Sequence, residues 1–235
     1  MPARNVLLLG SSHTKAIASA TSDVANFRAL WVKNPKRDDG PGDTAVDDAI
    51  RAASELSASD LVAVTWIGTY HNIFGLVQHE RFFDFAEPGS DDEPATSMEV
   101  IPYAVLRDHF MQTISGDTFT KRVAHVTKAK VVVPATPPVK GDNDFIRSRM
   151  KNYRGLDVTR AGVTPAYIRA KLWRLEMRCI QAYCSTIGAE FIPAPSAAIT
   201  PDGFLRHEFY DNDATHANAA YGALVKDQLL AALVD

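Results

Sequence analysis

Asn5-Val6-Leu7-Leu8-Leu9-Gly10-Ser11-Ser12-His13-Thr14 is the stretch on which the fold turns. Four consecutive apolar residues predict a short strand of the kind buried on both faces of a parallel sheet. Gly10 allows a sharp bend, and Lys15-Ala16-Ile17-Ala18-Ser19-Ala20 reads as a helix. The first amides of that helix point into the turn, so a hydroxyl there sits beside unpaired N–H groups and the positive end of a helix dipole. Such a setting suits a serine nucleophile whose tetrahedral intermediate needs its oxyanion held. It equally suits a phosphate-cradling loop or a plain N-cap, and the turn alone does not choose among them.

Working outward, Phe27 to Lys33 reads as a second strand, ended by Asn34-Pro35, and residues 36–44 carry every local signal of a loop. Asp43 or Thr44 is expected to cap a helix through about Leu56, with Val46, Ile50, Ala53 and Leu56 on one apolar face. Asp60 to Ile67 is a third strand, ending in the polar turn Gly68-Thr69-Tyr70-His71-Asn72. Lys130 to Pro134 and Glu190 to Pro193 read as fourth and fifth strands, and helices are expected from Tyr167 to about Thr186 and from Ala217 to Leu233. Strands alternating with helices call for an α/β fold, a doubly wound parallel sheet with right-handed crossovers. The pattern loosens at about 73–120, read as an insertion that either covers core with its aromatics (Phe74, Phe82, Phe83, Phe85) or forms a lid. A basic segment with Arg147, Arg149, Lys151, Arg154 and Arg160 reads as a solvated loop or a greeting for an anionic substrate.

A chain of 235 residues suits one large domain. Its hydrophobic content of 46% and charged content of 23% are those of a globular protein. Net charge −3 and a pI near 6.2 argue against a dedicated nucleic-acid binder. No apolar run approaches the roughly 20 residues of a membrane span. The apolar start at Val6 is too short for a secretory signal, and a cytoplasmic location is the expectation. Cys179 and Cys184, five apart in a helix, point in different directions and are expected as separate thiols. His79, His109, His125 and His207 lack metal-ligand spacing, so no catalytic metal and no cofactor is expected.

Near the other end, Asp213-Ala214-Thr215-His216 places a carboxylate and an imidazole on a loop entering the last helix. A carboxylate bonded to Nδ1 holds the tautomer that leaves Nε2 free to take a proton. Alone, an Asp-x-x-His is weak evidence. Together with a candidate nucleophile after strand one it gains force, because a doubly wound sheet gathers these loops at its carboxyl edge. With those residues assembled, the sequence resembles the SGNH or GDSL hydrolase superfamily, and the likeness runs nearly end to end. Residues 6–14 look like that family's first block, with Ser12 in the nucleophile's place. Gly40-Pro41-Gly42-Asp43-Thr44 looks like the second, whose glycine, here Gly42, lends an N–H to the oxyanion hole. Gly68-Thr69-Tyr70-His71-Asn72 falls at the third, and Asp213 to His216 looks like the fifth.

Two departures matter. Ser11 stands where the family has Asp, which makes it an alternative nucleophile one residue early. Tyr70 stands where Gly-x-Asn would place its amide, so the third oxyanion donor is Asn72 if the turn is shifted by two residues, or else His71 or Thr69. His13 is expected to point away from the nucleophile. The resemblance implies a three-layer α/β/α, flavodoxin-like fold with a five-stranded parallel sheet and a serine esterase acting through an acyl-enzyme. Ser12, His216 and Asp213 would form the triad, and Ser12, Gly42 and Asn72 the oxyanion hole. The substrate would be a small-molecule ester, an acylated sugar or lipid-like molecule among the options. The aromatic stretch favours an apolar acyl group and the basic segment an anionic leaving group. Two alternatives stand beside this: an acyltransferase of the same fold, and a non-enzymatic anion-binding flavodoxin-like module. The latter has no need of the Asp213–His216 pair.

Overall fold

The computed structural model describes residues 4–20, 26–33, 42–89 and 93–233. Five parallel strands form its sheet: β1 (Val6–Gly10), β2 (Phe27–Trp31), β3 (Leu61–Thr65), β4 (Lys130–Pro134) and β5 (Glu190–Ile192). Their spatial order is β2-β1-β3-β4-β5. Register pairs Gly10 with both Trp31 and Thr65, so the carboxyl ends of the first three strands lie level. The chain reverses direction across the sheet beside β1, which is where an open α/β sheet leaves a crevice.

Strand periodicity divides the core into two layers. Val6, Leu8, Leu61, Ala63 and Val132 face α1 (Ser12–Ala18) and the last helix, α9 (Ala219–Ala232). Leu7, Leu9, Val62, Val64 and Val131 face α2 (Val46–Ser54) and α5 (Thr118–Val126). On that second face Val133 continues into a core built on α8 (Ala166–Thr186) and α4 (Tyr103–Ser115). Three short helices complete the set: α3 (Tyr70–Gly75), α6 (Asn143–Arg149) and α7 (Val158–Ala161). The result is a three-layer α/β/α sandwich.

Several local expectations meet a different outcome. Neither Asp43 nor Thr44 caps α2, which starts after Ala45 without a side-chain cap. Their amides are already committed, both donating to the Trp31 carbonyl, so this segment extends the edge of β2 instead. Residues 36–41 of the expected loop, and with them Gly40 and Pro41 of the second block, lie outside the described residues. Within 73–120, Phe83, Phe85 and Phe110 are buried against α8, with Phe74 packed on them, and α5 lies in the helical layer beside α2. The two cysteines are both buried and free.

Glycine decides two contacts that carry the site. A Cβ at Gly10 would meet Thr65 Oγ1 at 2.1 Å and Thr14 Oγ1 at 2.7 Å, because those two hydroxyls bond each other at 2.8 Å across the turn. At Gly222 the α9 backbone approaches α1 so closely that a Cβ would lie 2.0 Å from the Ala16 carbonyl oxygen. Backbone cannot rotate out of the way, so Gly222→Ala must push α9 off the helix that carries Ser12. Overpacking of this kind costs about 3 kcal/mol. The expected result is a clear drop in the urea unfolding midpoint of Gly222→Ala; an unchanged midpoint would mean the two helices do not meet here.

Candidate active site

The bonds that build the turn after β1 leave the Ser12 and His13 amides without a partner among the described residues. Ser11 N–H donates to the Thr65 carbonyl at 3.3 Å, and Thr14 N–H donates back to Ser11 at 3.0 Å. Ser12 opens α1, half-buried, with Ser11 at the N-cap position making no side-chain capping bond. The two serines face different spaces. Ser12 lines a cleft of about 430 Å3 together with His13, Trp31, Asp213 and His216. Ser11 lines a larger one of about 900 Å3 that runs past Trp66, Ile67, Thr69 and Phe119.

Residues from the two ends of the chain therefore share one cleft. The 211–216 loop is closed by a bridge between Tyr210 and Ala217 and by Asp211 N–H donating to the His216 carbonyl at 3.1 Å. Inside it, Asp213 Oδ1 accepts the N–H groups of Thr215 at 2.8 Å and His216 at 2.7 Å. Its Oδ2 lies 2.6 Å from His216 Nδ1. Burial would raise the Asp213 carboxyl, but the bonds from the His216 ring and backbone and from Thr215 outweigh it and hold the group well below the usual carboxylate range. An ionised Asp213 favours the tautomer with the proton on Nδ1, which leaves Nε2 able to accept one. Ser12 Oγ makes no hydrogen bond to His216 among the described residues.

His13, expected to turn away from the nucleophile, lines the same cleft and sets its ring 5.4 Å from that of His216. Burial lowers its pKa to about 3, with His216 and His71 pushing the same way against the pull of Asp213. A neutral ring thus stands beside that of His216.

The third-block segment is anchored by a residue that the sequence reading did not single out. Glu176, on α8 and without solvent exposure, accepts Tyr70 N–H and His71 N–H at 2.9 Å each, and His71 Nδ1 lies 2.6 Å from its Oε2. One carboxylate thus takes the free amides at the start of α3 and the adjoining ring. Asn72 sits in that first turn, nine-tenths buried, and its side-chain amide has no partner among the described residues. Gly42 has φ +130 and leans on the backbone of Val32 and Lys33, just past the end of β2. Neither Asn72 nor Gly42 lines the Ser12 cleft.

The two expected selectors of substrate do not reach either cleft. Phe83 and Phe85 are spent in the α4–α8 core, Arg147 pairs with Asp144, and Arg149 stacks on Phe145. Among the described residues no group of histidines, cysteines and carboxylates has metal-site geometry, and no helix is long and apolar enough to cross a membrane.

No protein-family model matches the sequence, and no curated protein matches it either. Solved structures do. A GDSL-like lipase from Bacteroides thetaiotaomicron superposes with a TM-score of 0.50 at 12% identity, over 98% of this chain and 88% of that one. An extracellular lipase from Streptomyces rimosus gives 0.50 at 12% identity, over 98% of this chain and 100% of the other. At such identity the likeness speaks for architecture, and it agrees with the strand order and layers described above. The chain has the fold of the SGNH/GDSL hydrolases.

Proposed function

We propose that this protein is a serine hydrolase that cleaves a carboxylic ester through an acyl-enzyme. His216 Nε2 takes the proton from Ser12 as Oγ attacks the carbonyl, while Asp213 holds the ring and stabilises the imidazolium. His216 returns the proton to the leaving alcohol, and water then repeats the sequence on the acyl-enzyme. The observation that carries this reading is the shared cleft: Ser12 and the hydrogen-bonded Asp213–His216 pair line it together, from positions two hundred residues apart in the chain. An anion-binding module would have no use for a base so oriented.

The oxyanion is assigned to the amide of Ser12, which lines the cleft, and, on the family resemblance rather than on shared lining, to the amide of Gly42 and the side chain of Asn72. In support, Asn72 is buried with its amide uncommitted, whereas His71 Nδ1 is already engaged by Glu176. One such donor contributes roughly 3 kcal/mol to lowering the barrier. Asn72→Ala should therefore lower kcat on activated esters by about a hundredfold with KM little changed. A loss of only a few-fold would remove Asn72 from the hole. A panel of esters with varied acyl length tests the reaction class itself: the reading expects turnover that depends on Ser12, and a panel left intact by the wild-type protein would count against it.

A further inference from the structure

The mechanism above leaves unused a buried cation directly beneath the loop that carries the acid and base. Lys140 follows β4 and is among the largest fully buried side chains, its own 1% exposed. Its Nζ donates to the carbonyl oxygens of Asp211 at 2.8 Å and Asp213 at 2.5 Å, and lies 4.0 Å from Asp213 Oδ1. The rings of Phe145 and Tyr210 each sit 4.9 Å from it, forming an aromatic sleeve. The sleeve is itself braced. Arg169 on α8 donates to the Lys140 carbonyl at 2.8 Å and to that of Thr164 at 3.0 Å, and Gly141 N–H donates to the Tyr210 hydroxyl at 2.9 Å.

A buried ammonium is costly unless its donors are used, and here they are used on the two carbonyls that set the path of the loop. We infer that Lys140 is a positioning residue for the acid–base pair: by holding the Asp211 and Asp213 carbonyls it fixes where Asp213 presents its carboxylate to His216. This inference rests on the reading of Asp213 and His216 given above. Charge-assisted bonds to carbonyls are stronger than neutral ones, and one ammonium makes both at once. The groups facing it are Asp211, Asp213 and Tyr210 from the loop, Arg149 from α6 and Arg169 from α8. Burial lowers the Lys140 pKa to about 8, Asp213 and Asp211 opposing and Arg149 assisting. A pKa held below that of a free lysine favours the closed loop as pH rises, so the hold is tested by substitution at one pH.

The test compares wild type, Lys140→Met and Lys140→Arg at about pH 7. Two quantities are followed: the rate of labelling by a fluorophosphonate, and the hydrogen-exchange protection of the Thr215 and His216 amides, both bonded to Asp213. Lys140→Met should label about ten- to a hundredfold more slowly near neutral pH, as expected for a misplaced base, with reduced protection at 215 and 216. Lys140→Arg, which keeps a charged donor, should recover much of the rate and the protection. A folded Lys140→Met that labels and exchanges like wild type would overturn the inference. Should that variant not fold, Lys140→Gln decides: its uncharged amide reaches one bond less far, so slower labelling and reduced protection at 215 and 216 support the inference, and wild-type values for both refute it. A wild-type protein that takes no label refutes the serine mechanism, while the exchange data still decide Lys140.

Discussion

Ser12→Ala is expected to lower ester turnover by about a millionfold, the loss seen when the nucleophile of a triad is removed, while the unfolding transition stays where it was. Alanine keeps the Ser12 amide, and with it one assigned oxyanion donor, so only covalent chemistry is lost. The companion variant gives the number its meaning. Ser11 lines the neighbouring cleft rather than the one containing His216. Ser11→Ala should therefore retain turnover within a few-fold of wild type. Equal losses in both variants would indicate damage to the turn rather than removal of a nucleophile, and a large loss in Ser11→Ala alone would move the nucleophile one residue earlier.

Asp213→Asn carries the second large effect, about ten-thousandfold in kcat. The amide oxygen can still accept the Thr215 and His216 N–H groups, so the loop keeps its shape. What changes is the group 2.6 Å from Nδ1. An asparagine that presents N–H there forces the ring proton onto Nε2, and the base then has no lone pair to offer Ser12. kcat measured from about pH 5 to 9 should stay low throughout, because no pH in that range restores the carboxylate. Asp213 itself titrates far below the usual carboxylate range, so the wild type should show no acidic limb from Asp213 above about pH 4. A loss of less than tenfold in Asp213→Asn would mean that the aspartate does not orient the base.

The sheet was legible in the sequence because its strands are the kind that announce themselves. Leu7-Leu8-Leu9, Val62-Ala63-Val64 and Val131-Val132-Val133 are buried on both faces, so apolar runs replace alternation. Once the strands stood in order, the carboxyl edge collected Ser12, Asp213 and His216 without any contact being known. The candidate residues that escaped notice depend on tertiary partners instead. Glu176 lies on the buried stripe of α8 among Leu172, Trp173, Cys179 and Ile180, and nothing near it in sequence shows that it meets Tyr70 and His71 across more than a hundred residues. Lys140 follows a Pro-Pro turn and looks like any surface lysine until the 211–216 loop is laid over it. A carboxylate deep in a helix whose neighbours are apolar was the available signal for the first; for the second there was none. The aromatic stretch was open to two readings, core cover or lid, and Phe83 and Phe85 take the first in the α8 core. Thr44 and Asp43 looked like helix caps, yet the amides that define their position pair with β2.

The account depends on an activated hydroxyl at position 12, and covalent capture is its most direct test. Wild-type protein is treated with a fluorophosphonate, digested, and the modified residue located by mass spectrometry. The account predicts one phosphonyl group per chain, attached to Ser12, and no label after His216→Ala. A protein that stays unmodified, or one modified elsewhere with Ser12 intact, would contradict it.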